Sequence, residues 1–278
     1  MAIITIYQGA SGSGEELAQE LAHSLGYGCV DREVLVEASL RYGIPEAQLN
    51  QILERDPNWW QRFLADLKPY RLALQAAFCE IIQAEDRHGV VYHGHLGHEL
   101  IPHFKHVVRV LLTAQMETRI EQVRARFPKF TAEEAHRYIE EVDNARSRRL
   151  MALFGADWRD TSRYDLVLNV GRMSVAAAKR LIVETVNLED FQPTPASKQI
   201  FEDFALATRV RAILALASDM PRSRLEIKAT QGRVAVSGTI PSWASEGIVV
   251  TKIKQISGVK AVEADIVNLP IMSESEWP

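Results

Sequence analysis

Residues 9–16 read Gly-Ala-Ser-Gly-Ser-Gly-Glu-Glu, directly after the apolar run Ile3–Tyr7. Glycine adopts positive φ at little steric cost, so a glycine-rich turn between a strand and a helix can aim successive N–H groups inward. The helix start adds partial positive charge, and together these make a cradle for a phosphate. Gly9 to Gly14 has the G-x-x-x-x-G spacing of nucleotide-phosphate loops, in which Lys and then Ser or Thr follow. Glu15 and Glu16 stand at those two places. Replacing a cation by an anion changes the local charge by two units, and each unit pair at about 4 Å is worth roughly 4 kcal/mol at an effective dielectric near 20. Two compensations are open: a carboxylate turned to solvent or holding Mg²⁺, or arginines brought in from elsewhere. The competing reading is a tight turn of the kind any α/β protein can use.

A second concentration of chemistry lies at 119–163, where Arg119, Arg124, Arg126, Arg146, Arg148, Arg149, Arg159 and Arg163 occur. Guanidinium suits bidentate phosphate contacts better than ammonium does. The alternative is a solvated helical surface paired with Glu121, Glu133, Glu134, Glu140 and Glu141. Six of the eight histidines fall between His88 and His106: His88, His93, His95, His98, His103 and His106. Such density can bind zinc or nickel, but no cysteine or HExxH pattern accompanies it, so incidental histidines in a sheet-end loop are preferred and no metal is expected. Trp59, Trp60, Phe63, Leu67, Tyr70, Leu74 and Phe78 form an aromatic-rich helical stripe, read as core packing or as a homodimer face. Cys29 and Cys79 read as packed thiols.

The elements that position these residues alternate. Strands are expected at Ile3–Tyr7, Gly28–Val30, Val90–Tyr92, Val107–Leu112 and Asp165–Val170. Leu17, Leu21 and Leu25, four apart, mark one face of a helix over Glu15–Leu25. Asp56-Pro57 reads as a cap opening a long helix toward Asp86. Thr131 and Glu134 form a capping box for a helix toward Phe154, and Ser174 caps another. This order implies a parallel sheet covered on both faces. The composition breaks at Asn187–Lys198, where two prolines flank a threonine, and the break reads as a linker. Beyond it come a helix over Phe204–Leu216, strands Leu225–Ala229 and Arg233–Ser237 about a Gln231-Gly232 turn, a helix over Ala244–Ile256 and a strand Val262–Val267. The expected organisation is a domain over 1–188, a linker over 189–203 and a small αββαβ domain over 204–271.

Composition bounds the function. The chain has 278 residues, is 47% hydrophobic and 24% charged, and carries a net charge of −4. That balance argues against a general nucleic-acid binder. No apolar run approaches the ~18–20 residues needed to span a bilayer. The amino terminus lacks a signal peptide's basic stretch and cleavage site, and two cysteines make no disulfide framework, so the expected location is cytoplasmic.

Residues 2–188 resemble the cytidylate-kinase-like branch of the P-loop nucleoside monophosphate kinases. The segments that carry the resemblance are IITIYQGASGSGEELAQELAHSLGYGCVDREVL, VVYHGHLGHEL, VVRVLLTAQMETRIEQVRARF and EEAHRYIEEVDNARSRRLMALFGADWRDTSRYDLVLNV. The resemblance implies a five-stranded parallel sheet flanked by helices, ATP with Mg²⁺ in the loop, and a nucleoside monophosphate such as CMP or dCMP as acceptor. It also implies an arginine-bearing lid and no permanently bound cofactor. Carried onto this chain, Gly9, Ser11, Gly12, Ser13, Gly14 and Glu16 would bind the nucleotide, and Asp31 and Arg32 the acceptor. Asp143, Arg146 and Arg149 would form the lid, with Arg119, Arg146 and Arg149 neutralising charge in the transition state. The chain departs from the branch at Glu15 and at Gly94-His95, where a glycine-arginine pair is usual.

Residues of about 205–270 resemble a BON domain, carried by Val210-Arg-Ala-Ile-Leu, Leu225-Glu-Ile, Gly232-Arg-Val-Ala-Val-Ser-Gly238-Thr and Gly258-Val-Lys-Ala-Val-Glu-Ala. That resemblance implies binding of a small hydrophobic ligand or an anionic membrane surface. Three functions stay open: a kinase for a pyrimidine nucleoside monophosphate, a nucleotide-responsive sensor or scaffold with weak catalysis, and a structural dimer with an empty loop.

Overall fold

The computed structural model describes residues 2–10, 12–31, 33–44, 67–84, 89–94, 96–217 and 224–268. Strand β1 (Ala2–Gln8) is central because it is apolar on both sides. Ile3 and Tyr7 enter one core cluster, while Ala2, Ile4 and Ile6 enter another on the opposite face. That is the period-two alternation of a strand buried on both faces. β2 (Gly28–Val30), β3 (Gly89–His93), β4 (Val107–Thr113) and β5 (Leu166–Asn169) complete a parallel sheet in the order β2-β3-β1-β4-β5.

Helix α1 (Gly14–Leu25) follows the loop after β1. It buries Leu17, Ala18, Leu21 and Ala22 against the face that α7 (Val175–Val186) also covers. α2 (Glu33–Tyr42) and α3 (Lys68–Ala84) cover the other face, and a short helix α4 (Gly97–Leu100) follows β3. α5 (Met116–Arg126) and α6 (Ala132–Phe154) form a pair with a small core of their own, and that core includes Ala10 of the glycine-rich loop. The arginine-bearing helices are therefore fastened to the loop by apolar contact as well as by charge. The capping box at Thr131 and Glu134 forms as expected, and Ser174 caps α7.

The segment 189–203, expected as a linker, is ordered. After a 3-10 turn at Glu189–Phe191, α8 runs unbroken over Pro195–Leu216, nine residues earlier than the expected start at Phe204. Thr194 is its N-cap, accepting from the Ser197 N–H, and Pro195 takes the first helical position. Phe201 and Ala205 of α8 enter the core of the first unit, whereas Leu206, Val210 and Leu214 enter the core of the second.

The second unit contains β6 (Arg224–Thr230), β7 (Arg233–Ile240), α9 (Glu246–Lys254) and β8 (Ala261–Asn268), with β7 antiparallel to β6 and parallel to β8. Gln231 and Gly232 both have positive φ, 50° and 86°, as a two-residue hairpin with right-handed twist requires. β7 continues past Ser237, its expected end. Gly238 does not stop it but allows close approach, since a Cβ there would lie 2.1 Å from the Arg224 carbonyl oxygen.

Of the aromatic stripe, Leu74 and Phe78 are buried in the first core, and Leu67 and Tyr70 pack against it. Trp59, Trp60 and Phe63, with the expected cap at Asp56-Pro57, lie outside the described residues. Cys79 is buried, which pushes its thiol pKa up, and Cys29 is exposed. Among the described residues, no helix is long and apolar enough to cross a membrane.

Candidate functional site

β1 delivers Gln8 and then the loop to the carboxyl edge of the sheet, where open α/β sheets bind ligands. Gly12 has φ 123° and Gly14 is the first residue of α1. Ser13 holds the N-cap position without a side-chain cap, and its carbonyl accepts the Leu17 N–H at 2.9 Å. Glu15 and Glu16 are exposed in the first turn of α1. Their carboxylates sit favourably at a helix N-terminus, but they do not fill the loop. Ser11, Arg32, His88 and His95 lie outside the described residues.

Three of the four expected charged residues from α5 and α6 converge on this loop. The Ala10 N–H donates to Asp143 Oδ1 at 2.7 Å. Asp143 Oδ2 accepts from Arg119 Nη2 at 2.7 Å. Arg119 Nη2 and Nε donate in turn to the Ala10 carbonyl at 2.8 and 3.1 Å. One carboxylate and one guanidinium thus close a ring on the N–H and the carbonyl of a single residue, Ala10. Arg146 Nη1 donates to the Gln8 carbonyl at 2.9 Å. Gly9 has no side chain because of this pair: a Cβ would come within 2.9 Å of Arg119 Nη2 and 3.1 Å of Asp143 Oδ1. Arg149, two turns along α6 from Asp143, is buried on the side of Tyr7. Asp31 is exposed just past β2.

Behind the loop lies an aromatic cluster that sequence reading does not reveal. Tyr7 stacks on Trp158 at 5.2 Å and meets the edge of His98 at 5.1 Å. Tyr164 donates to the Trp158 carbonyl at 3.0 Å and lies 3.2 Å from His98 Nε2. Burial, with Arg109 and Arg163 adding to it, pushes His98 down to about 3. Burial raises the Tyr7 hydroxyl, although Arg146 nearby opposes this. His93, at the end of β3, is held below its ordinary value by burial. The Glu15 carboxylate opposes that shift and Arg146 adds to it. His103 pairs with Arg109, and His106 Nδ1 lies 3.0 Å from Ser197 Oγ. His98 and His103 share the neighbourhood of Arg109, whereas His93 and His106 have surroundings of their own. Among the described residues, no three His, Cys, Asp or Glu side chains gather as a metal site.

Gln8 and His93 are the residues that spacing misses. The available signal was their place: each is a polar residue closing an apolar strand at the edge where a ligand binds.

The arrangement offers an N-terminal helix end, two guanidiniums on the loop main chain and a neutral imidazole. It can hold an anion and neutralise charge that develops on it. The sequence profile of the cytidylate kinase-like family matches residues 3–172, and that of the BON domain matches residues 202–269. A cytidylate kinase of Pyrobaculum aerophilum is 30% identical over 184 residues, covering 66% of this chain and 91% of the relative. One of Pyrobaculum arsenaticum is 28% identical with the same coverage. An uncharacterized protein from Eubacterium ventriosum shares the fold, with a TM-score of 0.52 and 17% identity over 67% of this chain and 98% of its own. With its parallel five-stranded sheet and glycine-rich loop, the chain belongs to the cytidylate kinase-like family and carries a BON domain after it.

Proposed function

We propose that the chain moves the γ-phosphoryl group of Mg-ATP to a pyrimidine nucleoside monophosphate, CMP or dCMP. A phosphate oxygen of the acceptor forms the new bond to the γ-phosphorus as the bond to the bridging oxygen breaks and ADP leaves. Mg²⁺ arrives with the triphosphate as part of the substrate. The observation that carries this reading is the reach of Arg119 and Arg146 to the loop main chain, with Glu15 and Glu16 turned to solvent. Phosphoryl transfer depends on positioning and on neutralising charge. Arg146 supplies a cation at the loop where the sequence lacks the usual lysine, and Arg119, its charge offset by Asp143, positions the loop. Repulsion from an exposed carboxylate falls to about 1 kcal/mol at 4 Å in water, against about 4 in a partly buried setting. Asp31, exposed just past β2, is assigned to the acceptor side.

A second reading, a nucleotide-responsive sensor with weak catalysis, is favoured by one contact: Asp143 already occupies the Ala10 N–H. In either reading the BON unit is the module for a hydrophobic ligand or an anionic membrane surface, and its exposed Trp243 (61%) and Ile248 support that role.

The test is a thermal-shift panel of nucleoside mono-, di- and triphosphates, followed by a coupled assay of ADP release from Mg-ATP and CMP. The kinase reading expects turnover that falls about a hundredfold or more in Arg119→Ala and Arg146→Ala, with a modest change in Glu15→Lys. Stabilisation by nucleotides without turnover selects the sensor. No stabilisation by any nucleotide overturns both.

A further inference from the structure

The interior of the loop is taken up by the side chain that precedes it. A Cβ on Gly12 would lie 1.6 Å from Gln8 Nε2, and a Cβ on Gly14 would lie 2.4 Å from Gln8 Oε1. Both glycines thus border one carboxamide, which lies between the turn and the first residue of α1. His93 Nε2 flanks it, 2.8 Å from the same Gly14 position. The Gln8 carbonyl, on the main-chain side, holds Arg146. This is the space in front of a helix N-terminus, where an anion gains from the exposed N–H groups and the helix dipole. A neutral carboxamide gains less there than a phosphate does. Gln8 therefore fills the cradle without the charge that would hold it there against a phosphate.

We propose that Gln8 is a displaceable plug that sets the affinity of the loop for phosphate: its carboxamide occupies the phosphate position, and a nucleotide binds by swinging it out. The proposal rests on the nucleotide reading above. A plug that is closed nine-tenths of the time weakens apparent affinity about tenfold.

Two measurements test it, one without any nucleotide. In the first, Gly14→Ala lowers the melting temperature of the otherwise unaltered chain, and the loss shrinks in a Gln8→Ala background because the obstructing amide is gone. An equal loss in both backgrounds overturns the placement of Gln8 and the plug with it. In the second, calorimetric titration with ATP gives Gln8→Ala about tenfold tighter binding than the unaltered chain. Gln8→Asn, with a shorter amide, moves the same way by less and serves if Gln8→Ala folds poorly. Equal or weaker binding in both variants overturns the plug and makes the amide a phosphate ligand instead. If the Gly14 rescue holds but neither the unaltered chain nor Gln8→Ala binds ATP, the nucleotide reading falls and the placement of Gln8 stands.

Discussion

Two arginine–carboxylate pairs of the same length do different work in this molecule. Arg119 and Asp143 meet at 2.7 Å at the loop, and Arg209 and Glu80 meet at 2.7 Å at the seam between the two units. Both carboxylates are nearly out of solvent, at 8% and 7% exposure. The difference lies in their remaining partners. Asp143 and Arg119 spend theirs on the main chain of Ala10, so they fix the conformation of a loop. Glu80 also accepts from the Tyr42 hydroxyl at 2.9 Å and has Arg41 Nε 3.2 Å away. Arg209 donates to Gln83 Oε1 and to the Ser257 carbonyl of the BON unit, each at 3.0 Å. The seam pair thus joins α2, α3, α8 and the second unit. A buried pair's role is set by where its spare donors and acceptors go, not by its length or its burial.

The largest effect should come from the seam. Glu80→Ala strips a half-buried guanidinium and a partly buried hydroxyl of their acceptor, and breaking such a pair from one side costs about 3–5 kcal/mol. Chemical denaturation reads the loss, and Glu80→Gln, which keeps an acceptor, loses less. ATP affinity of the folded protein should be unchanged. Asp143→Ala should cost less stability, about 1–3 kcal/mol for leaving the Ala10 N–H and Arg119 without their partner. It should tighten ATP binding, because a competing anion has left the loop. If Asp143→Ala leaves ATP binding unmoved and Glu80→Ala shifts it, the two pairs have been assigned to the wrong roles.

The two regions were unequally legible in the sequence. Gly9, Gly12 and Gly14 announce the loop because their spacing is local, and the resemblance carries Asp143, Arg146 and Arg119 to it. Glu80 had only a weak signal: one carboxylate inside the buried run LALQAAFCEIIQA, with its partner Arg209 129 positions away. A lone charge in an apolar helix demands a partner, but nothing in the sequence says which. Gln8 is legible only by its place at the end of β1, for a related reason. Its role depends on where an amide points after the chain has folded, and strand periodicity does not encode that.

Each region also carries a histidine kept neutral by burial, and this gives the comparison a pH axis. His98, behind the loop, is pushed down to about 3, and His106, against α8, to about 4. Both titrate near 6.5 when unfolded. Between those limits the unfolded chain binds the proton and the folded chain does not, so stability falls as pH drops below about 6.5. Each such histidine changes the unfolding constant about tenfold per pH unit in that window. His98→Phe should flatten the acid limb of a plot of stability against pH by about one proton, and the flattening should extend to lower pH than for His106→Phe.

The smallest effect discriminates most sharply at the seam. Pro193-Thr194-Pro195 punctuates the sequence like a linker, yet the same residues are the N-cap and first position of α8. Both readings use the same chemistry: proline ends one element and opens the next, and threonine serves in turns and at caps alike. Only the apolar positions beyond decide, because Phe201, Ala205, Leu206 and Val210 must bury against two different cores along one continuous helix. Thr194→Ala removes the acceptor for the Ser197 N–H and should cost about 1 kcal/mol, the ordinary value for a lost cap. Hydrogen exchange should speed up in the first turn of α8 while the exchange of β1 amides stays as it was. A substitution without cost would mean that α8 does not depend on its cap. Segment 194–203 would then behave as a tether, and the Glu80–Arg209 pair would have to hold the two units together without it.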